Sequence, residues 1–285
     1  MSETIQTLLD DIDQLVSLPA VCVRLNEMVD DPRSSAEDIA RIISQDVSLT
    51  ARILRIANSP LYGFSTQIDT VSRAVTILGT QQIRDLALAT AAVKTFDGIP
   101  NTLVSMDSFW EHSIFCALCA RTLAMDCLKQ QRDAAFVAGL LHDIGHLVMY
   151  NRLPDLSRQA LEVCLDGADE LESQEAELEI FGFDHAQLGG ELAQRWALPT
   201  NIQQSIAYHH NPEAAETDNI EAAIVHIANS VAVLAELNTL DLDQAPRIHD
   251  IAWELTGLEK DIIAPTMASA QAQIGGARAL FMPQG

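Results

Sequence analysis

Residues 134–150, AAFVAGLLHDIGHLVMY, limit what this chain can become more than any other stretch. Apolar residues recur through it at the spacing of a helix meant for burial, yet His142, Asp143 and His146 fall within five positions. A buried polar group without a partner costs several kcal/mol, so these three side chains need a reason to be there. Either they hydrogen-bond to neighbours and fix the packing of a core, or they face a metal ion. The stretch alone leaves both open.

The rest of the chain follows the same helical period, with Ala, Leu, Ile and Val three and four residues apart and no convincing run of strict alternation. The expectation is an all-α protein. Helices are read at 8–16 and 20–29, the second closed by Asp31-Pro32, and Ser34 or Ser35 with Glu37 or Asp38 offers a capping box before the next. Asp46 opens DVSLTARILRIANS, with Leu49, Ile53, Ile56 and Ala57 on one face and Arg52 and Arg55 on another. Thr70 caps VSRAVTIL and Gly79 ends it. The sequence 97–101, DGIPN, reads as a linker between two lobes. Further helices are expected at 108–129, 156–165 and 221–237, with another opened by Pro199 and a tail that frays after Gly275. In the acidic segment 169–179, Leu171, Leu178 and Phe181 should face inward, and Glu172, Glu175 and Glu179 should face water.

Composition removes several classes. With 285 residues, 48% of them hydrophobic, the chain can bury a large core and is not disordered. A net charge of −23 with only 17 scattered basic residues argues against direct nucleic-acid binding, which draws its affinity from clustered Lys and Arg. No apolar run of membrane-spanning length is present and MSETIQTLLDDID is acidic, so a cytoplasmic protein with no membrane partner is expected. Five cysteines without framework spacing fit a reducing compartment, and Cys116 and Cys119, one turn apart among apolar residues, read as core.

All eight histidines, at 112, 142, 146, 185, 209, 210, 226 and 249, lie beyond the linker. A transition ion in a helical protein needs imidazoles and carboxylates converging from several helices. His112, His185 and His209-His210 fall on different helices or helix ends, as convergence requires. On a single helix His142 and Asp143 would point about 100° apart, so both reach one ion only if it sits near the helix surface.

The order His112, His142-Asp143 and a later polar residue resembles the signature of the HD superfamily of metal-dependent phosphohydrolases, and His185, His209 and His210 resemble the added ligands of its HD-GYP branch. The closer resemblance is to the HDOD (HD-related output domain) family over 12–212. LPAVCVRLNEMVDDP, DIARIISQDVSLTARILRIANSPLYG and TVSRAVTILGTQQIRDLAL are similar to its N-terminal lobe. FWEHS, AGLLHDIGHLV, FGFDHAQLGGELAQRWALP and AYHHNP are similar to its HD-like lobe. The resemblance implies a two-lobed helical bundle, with an N-terminal helical lobe at 12–97 and an HD-like lobe at 107–212. Residues 213–285 are then a C-terminal helical extension packed on the HD-like lobe.

The implied metal ligands are His112, His142, Asp143, His185, His209, His210 and Asn229. They would serve one or two divalent transition ions, with iron, manganese, zinc or nickel as candidates and no organic cofactor. Three positions depart from the hydrolytic pattern. Asn229 stands where HD enzymes place their last aspartate, His146 stands where HD-GYP enzymes have the lysine of HDIGK, and no GYP follows His209-His210. Losing a carboxylate weakens a divalent site and losing a lysine removes a phosphate contact. The expectation is therefore a bacterial signal-transduction module that binds a protein partner, with a residual metal site and without catalysis, homodimerisation being open. The alternative is a phosphodiesterase or phosphomonoesterase of the HD superfamily.

Overall fold

The computed structural model describes residues 4–12, 16–97, 102–128, 132–165, 170–215 and 220–282, and among them there are helices and no strand. The fold is all-α and two-lobed. In the first lobe α1 (Ile5–Ile12), α2 (Ala20–Asp30), α3 (Ala36–Ile43), α4 (Val47–Ala57), α5 (Val71–Leu78) and α6 (Thr80–Thr95) follow in order. Local chemistry sets most of their ends. Ser35 and Asp38 form a reciprocal capping box on α3, Asp46 accepts from the Leu49 amide, and Thr70 accepts from the Arg73 amide. Gly79 joins α5 to α6 at φ 93°, a conformation that costs other residues the Cβ clash glycine lacks.

α4 buries Leu49, Ile53, Ile56 and Ala57, the face its sequence presents. α6 is buried along its length from Ile83 to Val93, and it touches α2, α4 and α5 in its own lobe and α8 in the other. A helix so placed has no solvent face, which is why its sequence is weakly amphipathic.

The second lobe is built around α7 (Met106–Cys127), against which α8 (Arg132–Leu141), α14 (Ile220–Glu236) and α16 (Ile263–Phe281) pack. α9 (Ile144–Arg152), α10 (Pro154–Leu165), α11 (Glu170–Phe181), α12 (His185–Arg195) and α13 (Thr200–Ala207) lie between α8 and α14 in sequence, and α15 (Asp250–Thr256) packs on α14. α16 also touches α4, and α1 reaches across to α12. Further bonds between the lobes run from Trp196 Nε1 to Val16 O at 2.9 Å and from Asn26 to the carbonyl of Ala197.

Several expectations need correction. The run 134–150 is two helices, broken at His142-Asp143, because the backbone leaves helical geometry at Asp143 (φ −94°, ψ 8°). The first helix begins at Ile5 rather than at Leu8 and Val16 lies outside it, residues 13–15 being outside the described ones, and no frayed tail begins at Gly275, since α16 continues through it to a buried Phe281. Leu178 is exposed, not inward, while Phe181 is buried. The expected linker, apart from Asp97, and the side chains of Leu171 and Glu172 lie outside the described residues. Cys116 and Cys119 are buried and form no disulfide.

Candidate metal centre

The break between α8 and α9 brings His142 and Asp143 to the same place. The His142 Nδ1–H donates to the Gly139 carbonyl at 2.9 Å, turning Nε2 inward, 3.2 Å from Asp143 Oδ2. The other carboxylate oxygen, Oδ1, faces His185 Nε2 at 3.4 Å and His209 Nε2 at 3.8 Å. His112, from the first half of α7, approaches Oδ2 at 3.7 Å. The Nε2 atoms of His185 and His210 are 2.9 Å apart.

Each of four histidines has an acceptor on its Nδ1, which aims Nε2 at Asp143 or its neighbours. His142 uses Gly139 O, His209 uses Ile206 O at 2.8 Å, His185 uses Glu177 Oε2 at 2.7 Å and His112 uses Glu236 Oε1 at 2.7 Å. This is the tautomer-fixing arrangement found around metal-ligating imidazoles.

Glu177 is the residue sequence reasoning missed. Expected at most as part of a solvated acidic face, it is buried and uses both oxygens, Oε2 on the His185 ring and amide and Oε1 on His146 Nε2 at 2.8 Å. The His146 and His185 rings that it bonds stack with centroids 3.7 Å apart. Nothing in the repeating acidic sequence singles it out from Glu175 or Glu179. Glu236, which holds His112, and the Cys116 thiol beside His142 were missed as well.

Close approach of α9 to α12 depends on Gly145. A Cβ there would lie 2.0 Å from the His185 carbonyl oxygen and 2.9 Å from the Gly189 amide nitrogen, so only glycine lets the two ligand-bearing helices meet.

The charges are strongly coupled. Burial disfavours the imidazolium of His142 and of His185, but Asp143 next to the first and Glu177 next to the second outweigh it, and the His185 pKa is raised to about 9. Burial, then the neighbouring imidazoles, hold His209 and His210 well below the ordinary range and therefore neutral. Desolvation would raise Asp143, yet the surrounding histidines, His142 first, keep it well below the carboxylate range.

The residues present fit a metal ion. His142 Nε2, Asp143 Oδ1 and His209 Nε2 are buried with no hydrogen-bond partner, a costly state for three polar atoms facing one another, and one that a cation would relieve. Three donor groups overlap here. Asp143 belongs to one with His112 and His142 and to another with His146 and His185, and His185 also belongs to a trio with His209 and His210; the donor atoms lie within 4.8 Å of one another in each. Asn229, the remaining residue expected here, puts Oδ1 3.0 Å from His112 Nε2. A cleft of about 640 Å³ opens onto His112, Asp143 and His146, with Phe109, Tyr150, Glu111 and Glu236 along its sides. Glu111 is paired with Arg278 at 2.7 Å.

A family model for the HDOD domain matches residues 15–212. This chain belongs to the HDOD family. Solved structures similar to this HDOD protein include an HDOD domain protein of unknown function from Geobacter sulfurreducens (24% identity, TM-score 0.77, 98% of this chain and 97% of that one). Another is a candidate phosphohydrolase from Shewanella amazonensis (27%, TM-score 0.75, covering 96% and 97%). An uncharacterised protein of Treponema pallidum is 26% identical over 84% of this chain, which spans only 46% of the Treponema protein. Among the described residues no helix is long and apolar enough to cross a membrane.

Proposed function

We propose that this HDOD protein is a signal-transduction module that engages a protein partner and carries a divalent transition-metal centre at Asp143 without hydrolysing phosphate esters. The observation that carries this reading is the lining of the cleft. A phosphate ester arriving at Asp143 would pass Glu111 and Glu236, and none of the described lining residues is Lys or Arg. At the position where HD-GYP enzymes have a lysine stands His146, held by Glu177. Both carboxylates are already engaged, Glu111 by Arg278 and Glu236 by His112, and the lining offers no lysine to draw a phosphodiester in.

His112, His142, Asp143, His185, His209 and His210 are the residues that would hold metal. Such an ion supplies Lewis-acid polarisation when it keeps an open position and structural cross-linking when it does not. The chain's own residues do the rest. Glu177, Glu236 and the Gly139 and Ile206 carbonyls hold the imidazole tautomers, and Asp143 joins the two halves through its two oxygens.

Phosphohydrolysis is the second reading, favoured by the three orphaned buried atoms and by the likeness to the candidate phosphohydrolase. The test is turnover of cyclic dinucleotides and of a phosphomonoester by protein loaded with manganese or iron. The expected result is metal uptake without turnover. Turnover that His142→Ala abolishes would make the protein an enzyme.

A further inference from the structure

We propose that a second cleft, between the 242–248 segment and α15, is a binding site for a small zwitterion of the amino-acid class: a free ammonium and a free carboxylate on an apolar body. The cleft has a volume of about 360 Å³ and shares no lining residue with the one at Asp143. That volume lies within the ~300–1,000 Å³ usual for small-molecule sites. Asp243, Arg247, Asp250 and Lys260 line it, two charges of each sign, together with the partly buried Trp253.

Those four charges set the cleft apart. Elsewhere surface arginines pair with carboxylates at hand, Arg33 with Asp31 at 2.8 Å, Arg41 with Asp38 at 2.9 Å and Arg278 with Glu111 at 2.7 Å. Here opposite charges line one cleft, yet none of the four side chains forms an ion pair or hydrogen bond among the described residues. One ligand that carries both signs can bridge charges held apart in this way. Its ammonium suits Asp243 and Asp250 and its carboxylate suits Arg247 and Lys260, through charge-assisted hydrogen bonds. A nucleotide would meet two carboxylates and a polyamine two cations, so a ligand of single sign loses on one side what it gains on the other. The walls are anchored rather than loose. Pro246 is buried and its carbonyl accepts from Ser230 Oγ at 3.1 Å, while the His249 amide donates to His226 Nε2 at 3.0 Å. α14 thus holds the chain on either side of Arg247. Leu242, Ile248 and Trp253 pack against the core and give the cleft apolar lining for the ligand's own side chain.

The test titrates the full chain in a calorimeter with each protein amino acid in turn, and with AMP and spermidine as ligands of single sign. Tryptophan emission gives a second readout for the amino acids that do not themselves emit: Trp110 and Trp196 are only 2% and 7% exposed, which leaves Trp253 as the indole a ligand can reach. The expected result is saturable binding of at least one amino acid with a change in emission. Its N-acetyl and carboxamide forms, each lacking one charge, should bind about tenfold more weakly or worse, and so should the folded variants Arg247→Ala and Asp250→Asn. Binding by none of the amino acids, equal binding of a blocked form, tighter binding of AMP or spermidine, or unchanged affinity in both variants would overturn the site. None of these outcomes alters the metal-centre reading, which is tested separately by metal uptake.

Discussion

The Tyr62 hydroxyl donates to Asp133 Oδ1 at 3.1 Å, and that contact ties the first lobe to the helix whose far end delivers His142 and Asp143. Asp133 also accepts from Arg121 Nε at 3.2 Å, the Arg121 guanidinium sits 5.2 Å from the centre of the Tyr62 ring, and Gln82 reaches the Tyr62 oxygen at 3.3 Å. Arg121 lies on α7, the helix of His112. The SPLYG segment after α4 is thus anchored on the helix that carries His112 and on the helix that leads into His142-Asp143.

Removing the hydroxyl leaves Asp133 paired with Arg121 but breaks one of the links between the lobes. Tyr62→Phe should lower unfolding stability by about 1–2 kcal/mol in urea titration. Asp133→Ala should cost more, about 3–5 kcal/mol, because it strands a buried guanidinium. Equal costs for the two variants would mean that the network acts only through packing.

Gly145→Ala places a methyl against backbone atoms of α12 that cannot rotate away. The helices must part, and the expected loss is about 3 kcal/mol, with weaker metal uptake because His185 moves. Thermal unfolding with and without zinc checks both; an unchanged melting temperature would show that α9 and α12 have slack.

Glu177→Gln keeps the shape of the side chain but replaces one acceptor oxygen by a donor, so it cannot accept from His146 and His185 together. Metal affinity should fall ~10–100-fold, read by competition with a chromophoric chelator. An unchanged affinity would make Glu177 a packing residue only.

His226 gives a pH signature. Its Nδ1–H donates to the His209 carbonyl at 2.7 Å and its Nε2 accepts from the His249 amide at 3.0 Å, so the fold uses the neutral ring. Burial first, and then His249, push its pKa down to about 4, against ~6.5 for an unfolded chain. A depressed pKa contributes stability that is fully present above pH ~6.5 and is lost as pH falls toward 4, at most about 3 kcal/mol. His226→Gln should remove about one proton from the pH slope of stability over that interval. The same slope in both proteins would contradict the assignment.

The class of fold was legible because helical periodicity runs through nearly every segment, and caps such as Asp46 and Thr70 act locally. The face of α4 followed from the spacing of Leu49, Ile53, Ile56 and Ala57. His142 and Asp143 stand out because polar side chains are rare in apolar runs, whereas His185, His209 and His210 were expected from the resemblance to the HD-GYP branch; the five do meet in space. The break at His142-Asp143 was not legible, since the apolar period continues across it without Gly or Pro at the junction. Glu177 was hidden among carboxylates of the same chemistry, and Glu236 reads as the solvated end of an apolar helix. What distinguishes them is a partner far away in sequence, and one chain carries no sign of that.

The most direct measurement of the central claim is an anomalous-scattering map from crystals of the purified protein, collected on either side of the absorption edge of the metal found by elemental analysis. A peak is expected beside Asp143, among the histidines that surround it. Protein that stays free of metal after loading, with no peak at Asp143, would contradict it and leave the cluster as a buried hydrogen-bonded core.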